Sequence, residues 1–318
     1  MKAGLAALLS LAIALALAGC STARLGGAAG RLTQGETVMV QQGDGWRALA
    51  AGDSVPDGAR VRTGLETARL ELQRGELWLG HSATVRLRGD DVEVERGEIV
   101  LHSQGARASW QAVEVTGEGV FRLAPGASPR VGVYAGEVTV ARPGEQRRLP
   151  ALRQLGLAAR RLPAEPDPLY YDTGDDWDRE LLPKAISFDE EVSRLARGID
   201  REYGTDPQPA DFYTSFTAVR PETVPVLAAT ARRADADGSF GPPSDALVTL
   251  FVSSAVAAAQ GLAIEDAVRR VADKRAVGAR WGLIAVEEDI DVQRLAAAVD
   301  LARERRQIVA PDDERTIG

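Results

Sequence analysis

Apolar and polar residues alternate with a period of two in Ala68–Leu72, Thr84–Arg88 and Val92–Glu95, so each segment presents one apolar and one charged face. That is the pattern of half-buried strands. Glycine punctuates the runs at intervals of about eight to twelve residues, and turn chemistry is present at Gln42–Gly45, Pro56–Gly58, Arg74-Gly75, Arg88–Asp90 and Pro125-Gly126. Glycine serves such turns because it takes positive φ at little steric cost. Gly-Glu also opens an apolar run four times, at Gly35, Gly75, Gly97 and Gly136. The intervals are too irregular for a strict solenoid and suggest a stacked or rolled sheet over residues 31–150.

Beyond this region the period changes to 3.6. Residues 151–167, rich in proline and arginine, read as a connector. Phe188, Val192, Leu195, Ile199 and Tyr203 then share one helix face, and Gly204 and Pro207 stop that helix. A second helix is predicted from Glu222 to about Arg233, with Pro221 and Pro225 at its start. Ser244 is placed to cap Asp245–Gln260, and Gly261 stands where a terminating glycine belongs. This helix is apolar nearly all round. Interrupted by Thr249, Ser253 and Ser254, it falls short of the roughly 20 residues of a membrane span and reads as the centre of a bundle.

Ile264, Ala267, Val268 and Val271 form the next stripe, with Glu265 and Arg269 spaced for an i,i+4 pair. The last helix is expected over Ile290–Gln307, burying Leu295, Ala296, Val299 and Ala302. The fold class is therefore α+β by segregation: an all-β domain of short stacked strands, then an all-α domain over 168–310 and a tail at 311–318.

The amino terminus carries Lys2, an apolar run from Ala3 to Ala18, and Leu17-Ala18-Gly19-Cys20. This tetrad resembles the lipobox of bacterial lipoproteins. The resemblance implies a signal peptide over 1–19, cleavage before Cys20, acylation of Cys20 and a flexible tether over 20–30. Two or three acyl chains would give stable attachment to the membrane, where one is marginal.

Within the strand region, Ala51–Gly64 with its Val61-Arg62-Thr63-Gly64, then Ala68–Leu72, Gly75–Leu77, Gly117–Leu123 and Val131–Val138 resemble the FecR domain. The similarity covers about residues 35–145. It implies an extracytoplasmic β-rich module of the kind found in regulators that relay a transporter's state to a sigma factor. Gly117-Glu118-Gly119 departs from the Gly-Thr usual before the phenylalanine. The signalling members carry a cytoplasmic anti-sigma segment and a membrane helix. A lipidated amino terminus outside the membrane would put that direct role out of reach.

Composition narrows the chemistry further. The 318 residues include one cysteine, two histidines and three lysines against thirty-five arginines, with a formal charge of -8. One cysteine excludes internal disulfides, paired-cysteine zinc sites and iron–sulfur clusters. The acidic balance argues against a nucleic-acid partner. His81 and His102 follow two Gly-Glu repeats at similar offsets and would approach each other if the repeats stack, but no third ligand has metal spacing.

Asp172, Asp175, Asp176 and Asp178 could offer oxygen ligands to a hard cation, though helix capping is the favoured reading. Asp235–Phe240 lacks the glycine and glutamate positions of a calcium loop and reads as a turn. The runs Arg147-Arg148, Arg160-Arg161, Arg232-Arg233 and Arg303–Arg306 read as solvated faces. There is no Gly-x-Ser-x-Gly elbow and no phosphate loop, so no catalytic residue, cofactor or metal is assigned.

Taken together, these features point to a non-catalytic adaptor or sensor, lipid-anchored on the extracytoplasmic side in the periplasm or at the cell surface. It would bind an envelope protein or polymer. Trp78, Trp110 and Trp177 are the aromatic candidates for its recognition surface, with burial as the competing expectation for a tryptophan. Two alternatives stand beside it: a FecR-type regulator acting through a separate membrane partner, and an envelope enzyme with its site at the junction of the two domains.

Overall fold

The computed structural model describes residues 27–206, 208–219, 223 and 243–309. The signal peptide, Cys20, the Glu222–Arg233 helix except Thr223, the Asp235–Phe240 turn and the tail lie outside these residues. The described chain forms strands first and helices afterwards, so the segregated α+β class holds. It divides into two compact units. One comprises the described residues up to Pro129 with Val138–Gln146; the other comprises Arg130–Glu137 and the described residues from Arg147 onward.

In the β unit, β1 (Ala28–Gln34), β2 (Val38–Gln42), β3 (Gly45–Leu49), β4 (Ser54–Pro56) and β5 (Arg60–Thr63) come first. They precede β6 (Ala68–Leu72), β7 (Gly75–Leu79), β8 (Thr84–Arg88) and β9 (Asp91–Arg96). Two long strands follow, β10 (Ile99–Trp110) and β11 (Val113–Ala124). β11 runs along the whole of one edge of β10. The other edge is shared: Ile99–Ser103 pair with β7, and Arg107–Ser109 pair with β9 in parallel.

The sheet therefore forks at β10. One branch runs β10-β7-β6-β1-β4 and the other β10-β9-β8-β5-β2-β3. The fork coincides with a register shift between Gln104 and Arg107. There the Ser103 hydroxyl oxygen lies 2.9 Å from the Ala106 carbonyl and 2.7 Å from the Gly117 carbonyl, and it accepts the Gly105 N–H at 3.1 Å. The hydroxyl occupies backbone groups that the broken ladder would leave unpaired.

Alternation makes the core. In the first branch Leu32, Leu70, Leu77, Leu101 and Phe121 stand opposite one another across five strands, all fully buried. In the second, Val40, Val61, Val85 and Val94 do the same across four. A slip of one residue in any of these strands would turn its row to solvent, which pins the register.

Two strands, β12 (Arg130–Arg142) and β13 (Glu145–Pro150), are divided between the units; in the helical unit β12 pairs through Arg130–Val133 with β14 (Arg153–Gly156), and β14 pairs with β15 (Asp167–Pro168). Part of the segment read from sequence as a connector is thus ordered strand. The helices are α1 (Asp176–Leu181), α2 (Pro183–Tyr203), α3 (Ala210–Thr214), α4 (Pro243–Gln260), α5 (Ile264–Ala276), α6 (Trp281–Glu287) and α7 (Val292–Val309).

Phe188, Val192 and Ile199 of α2 pack with Leu247, Leu250 and Phe251 of α4 and with Val268 and Val271 of α5. α4 is buried along most of its length, the bundle-centre position its composition predicts. Gly261, at φ +65, ends it. No single described helix is long and apolar enough to cross a membrane; α4 and α5 pass that test only as a pair bent by 117°. At Gly282 a Cβ would stand 2.1 Å from the Ala185 carbonyl oxygen, so only glycine lets α6 approach α2 this closely.

Candidate functional site: a polar groove on the β unit

The row beside the buried Leu32–Phe121 ladder faces the other way. It places Arg31, Glu71, Glu76 and His102 opposite one another on β1, β6, β7 and β10. Glu71, Glu76 and His102, with Thr33, Leu72, Gln73, Gly75 and Gln104, line an open groove of about 650 Å³. Its walls follow from the hairpin: the two residues Gln73-Arg74 join β6 to β7, which sets Glu71 opposite Glu76.

Gly75, at φ +144, closes the approach to β10, where a Cβ would lie 1.9 Å from the His102 carbonyl oxygen. Arg31 reaches Glu71 at 2.5 Å. Glu76 is half-buried and has no ion-pair partner among the described residues. Like charges directly opposite in a sheet repel, and here only one of the two has a countercharge.

The next row on the same face holds Arg69, Trp78 and Val100. The Arg69 guanidinium lies 4.0 Å from the centre of the Trp78 ring, and the His102 ring lies 4.6 Å from it. Trp78 is 2% exposed, so it is not the exposed recognition aromatic considered from the sequence. It faces outward but is covered, and Arg69 supplies part of the cover through its stem and cation.

The other candidates lie apart. Trp110 is half-buried at the end of β10, opposite Val113 and ten residues beyond Val100, about 30 Å along an extended strand. Trp177 belongs to α1 in the helical unit and is 8% exposed. Trp78 and Trp110, at opposite ends of the β10 pairing, form no common patch within the β unit. His81 sits in an exposed turn with its Nδ1 2.6 Å from the Leu65 carbonyl oxygen. His102 stands opposite Glu76, five residues before His81, or about 16 Å along the strand direction. The repeats therefore do not bring the two rings together. Among the described residues no group of three or more His, Cys, Asp or Glu is placed to hold a metal ion.

The aspartate quartet resolves into caps and a buried acceptor. Asp175 caps α1, accepting the Asp178 N–H at 3.0 Å. Asp172 accepts the Gly174 N–H at 2.9 Å. Asp178, 2% exposed, accepts the Tyr134 hydroxyl at 2.5 Å and the Asp172 N–H at 2.7 Å. Close by in sequence, Asp189 is 6% exposed and accepts three donors: Tyr171 Oη at 2.5 Å, Arg280 Nε at 3.0 Å and Gly282 N at 2.8 Å. Burial, then the Asp189 charge, push the Tyr171 phenol far above its ordinary range, so it stays a donor. These carboxylates are satisfied from within and serve packing.

Sequence reasoning did not single out Glu71, Gln73, Glu76 or Gln104. The signal was present in Glu71-Leu-Gln-Arg-Gly-Glu76, because a two-residue turn after Leu72 places the two glutamates opposite each other.

No family model matches the chain, and no curated protein matches it. Two crystal structures of a "putative anti-sigma factor from Parabacteroides distasonis" are similar over 46% of this chain and 75% and 76% of theirs. The identity is 16% and the TM-scores are 0.32 and 0.31. A likeness at that level carries no argument about activity.

Proposed function

We propose that this chain is a lipid-anchored extracytoplasmic binding protein, in which a FecR-type β module docks an envelope protein or polymer without chemical turnover. The observation that carries the reading is the open groove, whose lining of carboxylate, amide and imidazole groups is suited to recognition of a polar partner. The lipobox at Leu17–Cys20 supports the compartment, and the Val61-Arg62-Thr63-Gly64 segment supports the family likeness.

Two measurements test it. Cys20→Ala is expected to move the protein from the membrane to the soluble fraction and to abolish incorporation of labelled fatty acid; unchanged association without label would sink the anchor. A photoreactive residue at Gln104 in intact cells is expected to capture an envelope component that the same group at the exposed Glu114, distant along the strands, does not. If both positions give the same products, the groove is not the docking site. Capture of a membrane-spanning anti-sigma protein at Gln104 would turn the reading toward a regulator that signals through a separate partner.

A further inference from the structure

Resting on that docking reading, we propose that the groove receives a basic peptide segment of a protein partner, with a lysine or arginine side chain placed against Glu76. Four observations lead there. Glu71 and Glu76 are directly opposite across the β6–β7 hairpin, an arrangement that costs stability unless a cation intervenes. Arg31 provides that cation for Glu71 alone, and Glu76, half-buried, keeps its charge unmatched. The lining itself contains two carboxylates and no lysine or arginine. Finally, the exposed amide side chains of Gln73 and Gln104 stand at the groove, each able to donate to and accept from an extended backbone.

A sugar polymer with amino groups would satisfy Glu76 as well, but it would also seek an aromatic platform. The nearest one, Trp78, lies covered beneath Arg69. A peptide needs no such platform. In this arrangement the partner's cation gives Glu76 the countercharge that Arg31 already gives Glu71.

The test is titration calorimetry on the mature lipoprotein in non-ionic detergent, with tetralysine as the probe and a glucosamine tetramer as the competing class. Tetralysine is expected to bind, to bind at least about tenfold more weakly to Glu76→Gln, and to bind Glu114→Gln as it does the parent. Glu76→Gln removes a repulsion, so its fold is not at risk, and Glu76→Lys should abolish binding altogether. Equal weakening by Glu114→Gln, or none by Glu76→Gln, would mean diffuse attraction to an acidic chain and would overturn the proposal. So would binding of the glucosamine tetramer in place of tetralysine. Capture at Gln104 in cells with no tetralysine binding would remove the basic-peptide assignment alone, whereas loss of specific capture at Gln104 would remove the docking reading beneath it.

Discussion

The two units treat charge in opposite ways. In the β unit the core rows are entirely apolar, and the ion pairs sit on the outward faces: Arg31 with Glu71, Arg60 with Glu95 and Arg107 with Asp91, each with substantial solvent exposure. In the helical unit, carboxylates go inside. Asp178, Asp189 and Glu288 are buried, and each is met by tyrosine, arginine, lysine or backbone donors. The reason is geometric. Strands send every second side chain to water and satisfy their backbone laterally, whereas the starts of the short helices α1 and α6 leave terminal N–H groups that need acceptors. Asp175 and Asp189 meet that need, accepting the Asp178 and Gly282 N–H groups, while Asp178 accepts the Asp172 N–H of the loop before α1.

The sharpest way to break this contrast is Asp189→Ala. It would leave the buried Tyr171 hydroxyl and the Gly282 N–H without their acceptor, while Arg280, 38% exposed, keeps the Tyr171 carbonyl and water. Each buried donor left without an acceptor costs about 1–3 kcal/mol, so the two together make this the largest of the expected losses. Urea unfolding followed by helical circular dichroism should show that loss. A change below about 1 kcal/mol would mean that Asp189 is not held as described.

These networks were the part least visible in the sequence. Alternation located β6, β8 and β9, and helical periodicity located α2, α4, α5 and α7 to within a few residues. α6 escaped because Trp281–Glu287 is seven residues long, has no capping side chain and is apolar along most of its length. The strand β14 escaped because Arg-Gln-Leu-Gly, among prolines and arginines, has no alternation long enough to read. Asp189 looks in sequence like any carboxylate on an amphipathic helix, two places before Glu191. What distinguishes it is its contact with residues ninety positions away, Arg280 and Gly282, and no local pattern carries that. The groove, in contrast, was legible in principle, since a two-residue turn fixes which residues oppose each other.

A smaller effect, dependent on pH, sharpens the same comparison. Burial tends to raise the Glu287 carboxyl, but hydrogen bonds from Lys274 and Arg153 outweigh it and hold the group below its usual value of 4.5. A depressed folded-state value means that the contribution to stability is fully present above pH 4.5 and is lost as the pH falls through the lower, folded value. Glu287→Gln should therefore cost about 1.5–3 kcal/mol near neutrality, as expected for hydrogen bonds to a charged group. The gap between parent and variant should close as thermal melts are carried down toward pH 3. A gap of constant size across that range would show that the ionised carboxylate is not the stabilising species.

The smallest effect belongs to the β surface. Arg31 and Glu71 are each about half exposed, at 50% and 52% of their side-chain surface, and exposed pairs contribute about 0.2–1 kcal/mol. Arg31→Ala should fall within that range and shrink further in 1 M salt, where screening acts within a few ångströms. Its interest lies in the coupling. With Arg31 gone, Glu71 faces Glu76 with no countercharge of its own, so a second change, Glu76→Gln, should restore part of what the first removes. A double-mutant cycle with no coupling would show that the glutamates do not sense each other across the hairpin. Restoration would establish that Glu76 adds repulsion to the free protein, which is the condition for a bound cation to relieve it.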